Sequence, residues 1–521
     1  MGPSRVVDPS VYRWHDENWS GRPWSETVLY ELHVGAFSSG GTFREVADRL
    51  DHLVDLGITA VELMPLSDFP GKRNWGYDGV LPYAPDSGYG SPHELKQLID
   101  ACHARGLMVF LDVVYNHFGP EGNFLWLYAR RFFTDRFQTP WGDAINFSEP
   151  VVREFFIQNA LYWLLEYHID GLRLDAVHAI HDESEEHILT ELARRVRAQV
   201  DGERHVHLVL ENDANEARFL SGGEAEFNAQ WNDDFHHAAH VLLSGERVGY
   251  YQDYADAPAG GLARSLAEGF IYQGEASAFR GGEARGEPSA HLLPTAFVNF
   301  IQNHDQVGNR AFGERLTHLA GPRARAVLIA VQLLAPEIPL LFMGEEWATE
   351  APFLFFCDFH DELADAVREG RRGEFAAFPE FSDPETRRQI PDPNDPETFR
   401  QSILRWDEAS TETGQAWIAF YRELLQIRQS RLVPALGAAL QDHAAAEELH
   451  PGAHVLRWAG VQTETGCWLL AFNASETPAE SRRFENTEPA YAYPTEAYSA
   501  CAAGRLPGWS VYCGWYYGGS T

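Results

Sequence analysis

What most constrains this chain is a repeated change of period. From residue 28 to about residue 430, short β-like apolar runs alternate with patterns of helical spacing. The β-like runs fall at residues 28–34, 58–64, 107–113, 171–174, 206–210, 227–231, 297–301 and 339–343. Helical patterns occupy 42–56, with Thr42 as a candidate N-cap, and 91–105, 150–167 and 417–430. Eight strands separated by helices favour an α/β fold of the closed (β/α)8 (TIM) barrel type over an open doubly wound sheet. A length of 521 residues suits one such barrel plus a smaller appended domain.

The predicted domains follow from where the alternation starts and stops. Residues 1–27 read as an N-terminal linker segment, 28–431 as the barrel, and 432–521, with short alternating runs, as a C-terminal antiparallel β-sandwich. Two long loop insertions interrupt the barrel: an aromatic, Gly- and Pro-rich stretch at 115–147 and a charged, Pro-rich one at 362–400.

Charge and cysteine usage exclude several classes of partner. A formal net charge of −35 repels nucleic acid and anionic membrane, and it is compatible with a neutral substrate such as a sugar. The five cysteines are scattered, with no CxxC pair or Cys/His cluster, so neither a disulfide framework nor a structural zinc site is expected. The first residues carry no apolar stretch of secretion-signal type. The longest apolar region, 326–343, is broken by Gln332, Pro336, Glu337 and Pro339 and reads as a buried helix followed by a strand. A cytoplasmic protein is the expectation.

Several predicted strands end in acids: Asp112, Asp175, Glu211, Asp234 and Asp305. Buried carboxylates at the C-terminal ends of barrel strands are expected to be paired or functional, because that face carries the active site. Four segments contain most of them: DVVYNH (112–117), GLRLDAVHAI (171–180), VLEND (209–213) and FIQNHDQVGN (300–309). In this order they resemble the four signature regions of the α-amylase superfamily, over a span from residue 28 to about residue 430. FPGKRNWGYDGV, YNHFGPEGN, FFTDRFQTPWGDAINF and LLFMGEEWA are similar to the trehalose-releasing members of that superfamily.

The resemblance implies a retaining glycoside hydrolase with Asp175 as nucleophile, Glu211 as general acid/base and Asp305 as the carboxylate that holds the reacting sugar's hydroxyls. Such chemistry needs two carboxyl groups about 5–5.5 Å apart, which adjacent barrel strands can supply. Like charge from Asp175 and Asp305 would help keep Glu211 protonated. Arg173, two residues before Asp175 and on the same side of its strand, would keep the nucleophile ionised. His117 and His304 match histidines that bond the reacting glucose, Tyr77 a tyrosine that stacks under its ring, and Asp112 a position that shapes the site. His178, Asn232, Asp233, Asp234, His236, Gln306 and Asn309 are further candidates for lining the cleft. Asn116 matches a calcium ligand of many amylases, but residues 118–147 offer no recognisable companion ligands, so no metal and no cofactor is expected.

The implied reaction is cleavage of the α-1,4 bond next to the terminal trehalose unit of maltooligosyltrehalose, with release of trehalose. The synthase that makes maltooligosyltrehalose is the implied pathway neighbour. An α-glucan branching or debranching enzyme is the alternative, and a non-catalytic glucan-binding barrel a further one. Relatives of this kind carry an additional N-terminal β-sandwich, which is expected to be missing here.

Overall fold

The eight apolar runs close into a parallel barrel in the computed structural model, which describes residues 6–139, 142–221, 227–436, 444–459 and 466–517. The strands are β1 Leu29–Leu32, β2 Ala60–Leu63, β3 Met108–Val113, β4 Gly171–Leu174, β5 His207–Leu210, β6 Ala229–Trp231, β7 Phe297–Asn299 and β8 Ile338–Phe342. They pair in chain order, and β1 closes the ring on β8, with Leu29 opposite Leu340. Each is covered on both faces, which is why the strands read as nearly unbroken apolar runs. Residues 1–5 of the N-terminal segment, Pro140 and Trp141 of the 115–147 insertion, and parts of the C-terminal region lie outside the described residues.

The helices between strands carry their own start signals. Thr42 caps helix Phe43–Ala47 by accepting from the Glu45 N–H. Ser91 and Glu94 form a reciprocal capping box on helix Pro92–His103, a device worth about 1 kcal/mol. The predicted single helix over 42–56 is broken in two, Phe43–Ala47 and Leu50–Leu56. The 326–343 region resolves into helix Pro322–Leu334 followed by β8.

The period of two along each strand explains how one barrel holds both a core and a site. Leu29, Ala60, Phe110, Val209 and Ala229 belong to one apolar cluster inside the ring. Two residues further along the same strands, on the same face, stand Glu31, Glu62, Asp112, Glu211 and Trp231. On four of these five strands the inward row therefore changes from apolar to charged on moving toward the C-terminal end, while Trp231 stays with the apolar cluster. Gly171 opens β4 because a Cβ there would lie 2.1 Å from the Phe110 ring, which fills the barrel at that level.

The N-terminal segment crosses the opposite, N-terminal end of the barrel. The Trp24 indole donates to the Thr295 carbonyl (2.7 Å), and the Trp19 indole to Asp170 (2.8 Å). His103 sits between two carboxylates, Asp16 and Asp170, at 2.9 Å each, and His168 also reaches Asp16 while stacking on Trp14. Burial works against the charged form of His103, yet its bonds to Asp16 and Asp170 raise its pKa above the ordinary value.

The C-terminal region contains a five-stranded antiparallel sheet: β9 Ala445–His450, β10 Ala453–Ala459, β11 Cys467–Asn473, β12 Thr487–Tyr493 and β13 Ser510–Tyr516, in the order β9-β10-β11-β13-β12. Leu456, Trp458, Trp468 and Leu470 join the main core, and the Trp468 indole donates to the Leu334 carbonyl (2.8 Å). On the opposite face Val455, Leu469 and Ala471 pack under a two-stranded ribbon, Ala479–Glu480 with Arg505–Leu506, and helix Ala497–Ala502. The second layer of the expected sandwich is thus a ribbon and a helix.

Candidate active site

At the C-terminal end of the barrel, Arg173 is the fully buried centre of a carboxylate cluster. Its Nη1 donates to Asp112 Oδ2 (2.7 Å) and to Asp175 Oδ1 (2.9 Å), and Nη2 lies 3.7 Å from Glu211 Oε2. The guanidinium rests on the Trp231 ring at 4.2 Å, so β3, β4, β5 and β6 each contribute a residue around it. Asp112 is 2 % exposed, whereas Asp175 and Glu211 are 13 % and 14 % exposed, so only the latter two open to the cleft. Asp112 is a support: it accepts from Arg173 and from the Tyr77 hydroxyl (2.5 Å). Burial pushes Asp112 up to about 7 against the pull of Arg173.

Asp175 and Glu211 are held at fixed orientations by neutral donors. Asn116 Nδ2 donates to Asp175 Oδ2 and to its carbonyl, both at 2.8 Å. Ala176, directly after Asp175, has φ 42°, a left-handed conformation that costs a non-glycine residue about 1–3 kcal/mol. That turn aims the Ala176 N–H at Glu211 Oε2 (2.5 Å). Burial, Asp175 and Asp305 raise the Glu211 pKa, while Arg173 opposes them.

His304 and Tyr77 form the next wall. Glu31 holds His304 through Oε1 to Nδ1 (2.5 Å) and Oε2 to the backbone N–H (2.9 Å), and His304 Nε2 lies 3.5 Å from Asp305 Oδ2. Burial disfavours charge on His304, but Asp305 and Glu31 lift it to about 9. The Tyr77 ring stacks on His304 (5.0 Å between centroids, 22°), which leaves its other face available. Gly76, at φ 110°, is the glycine that sets Tyr77 in place, since a Cβ there would lie 2.3 Å from the Pro65 carbonyl oxygen. Asp305 is 39 % exposed and accepts from Asn309 (3.2 Å).

Several expected contacts fall elsewhere. Both ring nitrogens of His117 meet protein groups, the Asn116 amide oxygen and the Tyr77 carbonyl (2.9 Å), which ties His117 to the loop that carries Tyr77. Asn232, Asp234 and His236 do not line the cleft. Asn232 caps helix Asp233–Ser244 and donates to Ser265, Gly269 and Asn299; His236 Nδ1 is on the Ile301 carbonyl; all three are buried. Asp234 is a structural hub whose oxygens accept from Arg285, Tyr254, Asn215 and the N–H groups of Ile271 and Tyr272. The helix register explains the split: only Asp233 turns toward the cleft, where Gln306 reaches it (3.4 Å) and burial with Glu211 and Asp213 raises its pKa. His178 is exposed at the rim and accepts from the Asp213 N–H (3.3 Å).

Beside Asp305 opens a cavity of about 500 Å³, walled by Asp213, Tyr254, Phe279, Arg280, Gln306 and Phe378 among others. Arg280 is held by Asp213, and Arg285 by Asp213 and Asp234. The sequence singles out none of these aromatic and basic residues, because Tyr254, Phe279, Arg280 and Arg285 come from the connection between β6 and β7 and Phe378 from the insertion after β8, and neither stretch carries a recognisable motif. Glu31 escapes the motifs as well, although an acid inside the apolar run VLYELHV is a signal that could have found it. Among the described residues no group of three or more His, Cys, Asp or Glu is arranged to hold a metal.

The family model for the alpha amylase catalytic domain matches residues 15–130. A malto-oligosyltrehalose trehalohydrolase of Deinococcus radiodurans is 45 % identical over 429 residues, covering 82 % of this chain and 70 % of its own length. One from Saccharolobus solfataricus is 42 % identical over 436 residues, covering 82 % and 73 %. A solved structure from Salmonella typhimurium, described as a candidate alpha amylase, superposes with a TM-score of 0.93 at 47 % identity over 99 % of this chain and 86 % of that one. On this similarity and on its barrel, the chain belongs to the malto-oligosyltrehalose trehalohydrolases of the α-amylase superfamily.

Proposed function

We propose that the chain hydrolyses the α-1,4 bond next to the terminal trehalose unit of maltooligosyltrehalose, with retention of configuration, and releases trehalose. The observation that carries the chemistry is one buried cation, Arg173, bonded to Asp175 and close to Glu211 on the neighbouring strand end. Asp175 attacks the anomeric carbon while Glu211 gives its proton to the glycosidic oxygen, and trehalose leaves. Water, deprotonated by the Glu211 carboxylate, then attacks the glycosyl ester and frees Asp175 with a malto-oligosaccharide. The Ala176 N–H engages Glu211 Oε2, so the transferable proton is carried on Oε1. Asp305 and the cationic His304 hold hydroxyls of the reacting glucose, and Tyr77 stacks beneath it.

Protonation by Glu211 places the leaving group on the β5 side, where Asp213 and Arg280 wall the 500 Å³ cavity. Trehalose has no reducing end, and a cavity whose few polar groups are matched to its hydroxyls would leave some of them unpaired around maltose. Five free cysteines, four of them buried, suit a reducing cytoplasm, where the synthase that supplies the substrate would act. Incubation with maltooligosyltrehalose, maltoheptaose and glycogen in parallel tests the reading. The expected kcat/KM for maltooligosyltrehalose exceeds that for the matching linear chain by about tenfold or more. Equal rates, or new α-1,6 branches in place of free trehalose, would defeat it.

A further inference from the structure

The loops after β2, β3 and β8 enclose a second cavity, of about 630 Å³, on the arc of the barrel rim opposite β5 and β6. Its polar walls include Asp68, Asp86, Lys72, Glu121 and His360. Two of these walls are joined to the active site by short stretches of chain: residues 68–72 are followed by Tyr77 within nine positions, and Glu121 follows His117 by four. A linear substrate with its leaving group on the β5 side therefore extends its remaining chain toward this cavity.

Immediately beyond Glu121, the segment Asn123–Tyr128 presents an unusual surface. Phe124, Trp126, Leu127 and Tyr128 are 51 %, 56 %, 56 % and 75 % exposed. They are not loose: Leu125 and Ala129 pack on the main core, and Asn123 accepts from the Leu125 N–H, so the short helix Leu125–Tyr128 is pinned with its rings outward. Among the described residues no other stretch so concentrates large exposed apolar side chains. Phe124 follows His117 by seven positions, so the patch begins no more than about 25 Å from the site.

We propose that the 68–72/121–122 cavity and the Phe124–Tyr128 aromatics form a binding track for the distal glucan chain of the substrate, a secondary site for α-1,4-linked glucose. This rests on the malto-oligosyl substrate assigned above. The chemistry is that of a neutral carbohydrate: carboxylates and a lysine for hydroxyls, then flat rings for the apolar faces of successive glucose units. A polyanion is disfavoured by the charge of −35. A protein partner is disfavoured by size, because four side chains supply far less than the roughly 800 Å² per partner of a stable interface.

The test is the double variant Trp126→Ala/Tyr128→Ala, whose side chains are exposed enough for the fold to persist. In a background of Asp175→Asn, to prevent digestion, its mobility in gels containing linear maltodextrin is compared with that of Asp175→Asn alone. Loss of retardation is expected, and it reads glucan binding whatever bond the enzyme cuts, so it stands apart from the trehalose assignment. In the active background, the ratio of kcat/KM for long malto-oligosyltrehalose to that for maltotriosyltrehalose should fall about threefold to tenfold. Unchanged retardation together with an unchanged ratio would overturn the track. So would unchanged retardation accompanied by a change of oligomeric state in size-exclusion chromatography, which would mark the patch as a protein interface.

Discussion

Glu31, on the first strand of the barrel, grips His304, after the seventh, at two points: its carboxylate takes the ring Nδ1–H at 2.5 Å and the backbone N–H at 2.9 Å. Both side chains are 1 % exposed, so this pair is dry and its charges are strongly felt. It fixes the direction of Nε2 toward Asp305 and backs the face of Tyr77.

Replacing Glu31 by Gln should therefore reduce kcat/KM by about tenfold to a hundredfold, the worth of a charge-assisted hydrogen bond of ~1.5–3 kcal/mol. Glu31 and Asp305 hold the His304 pKa at about 9, so without Glu31 the imidazolium loses its proton at lower pH. The alkaline limb of the kcat/KM profile should move to lower pH in the variant. An unmoved limb would show that the charge on His304 is dispensable.

Asp175→Asn and Glu211→Gln are isosteric and should leave far-ultraviolet circular dichroism unchanged while lowering turnover by at least about a thousandfold each. Either variant retaining more than about a tenth of the wild-type rate would remove its residue from the assigned role.

With Asp175 as the proposed nucleophile and Glu211 as the proposed acid/base, the anomeric carbon is inverted twice, so retention is expected. Proton NMR of freshly cleaved substrate should show the α-anomer at the new reducing end before mutarotation. Initial β-anomer would exclude the double displacement.

The pairing of His103 with Asp16 and Asp170 links the N-terminal segment to pH. Its pKa is raised above the ordinary 6.5, so its stabilisation is fully present below pH 6.5 and is lost as pH rises through the higher folded value. His103→Gln should cost about 1–3 kcal/mol at pH near 6 and flatten the decline of melting temperature on the alkaline side. A variant as steeply pH-dependent as the wild type would assign the slope to other groups.

The barrel and its cluster of acids are legible in the sequence because both are written in local patterns. The period of two along β3 to β5 places Asp112, Arg173 and Glu211 on the inward face, and the four motifs lie at strand ends. Asp234 is misplaced by the sequence pattern because its neighbour Asp233 is one step of helix away: a change of about 100° in direction separates a cleft residue from a buried hub. The contact of His117 with the Tyr77 carbonyl is not readable in the sequence for a different reason, since that carbonyl comes from a loop forty residues earlier. The walls of the cavity beside Asp305 arise from loop contacts such as Arg280 with Asp213, which no spacing in the chain announces.

The pairing of Leu29 with Leu340 also sets a timetable. The first strand emerges from the ribosome about three hundred residues before its second partner, which at ~5–20 residues per second is a wait of roughly fifteen seconds to a minute. Throughout it, β1 can pair with β2 on one side only, and its outer edge offers unbonded N–H and C=O groups to any other nascent strand. Ring closure is a contact of very high sequence separation and correspondingly slow. Yield in a heterologous host should therefore respond to slower synthesis and to holdase chaperones more than to changes in the stability of the finished barrel.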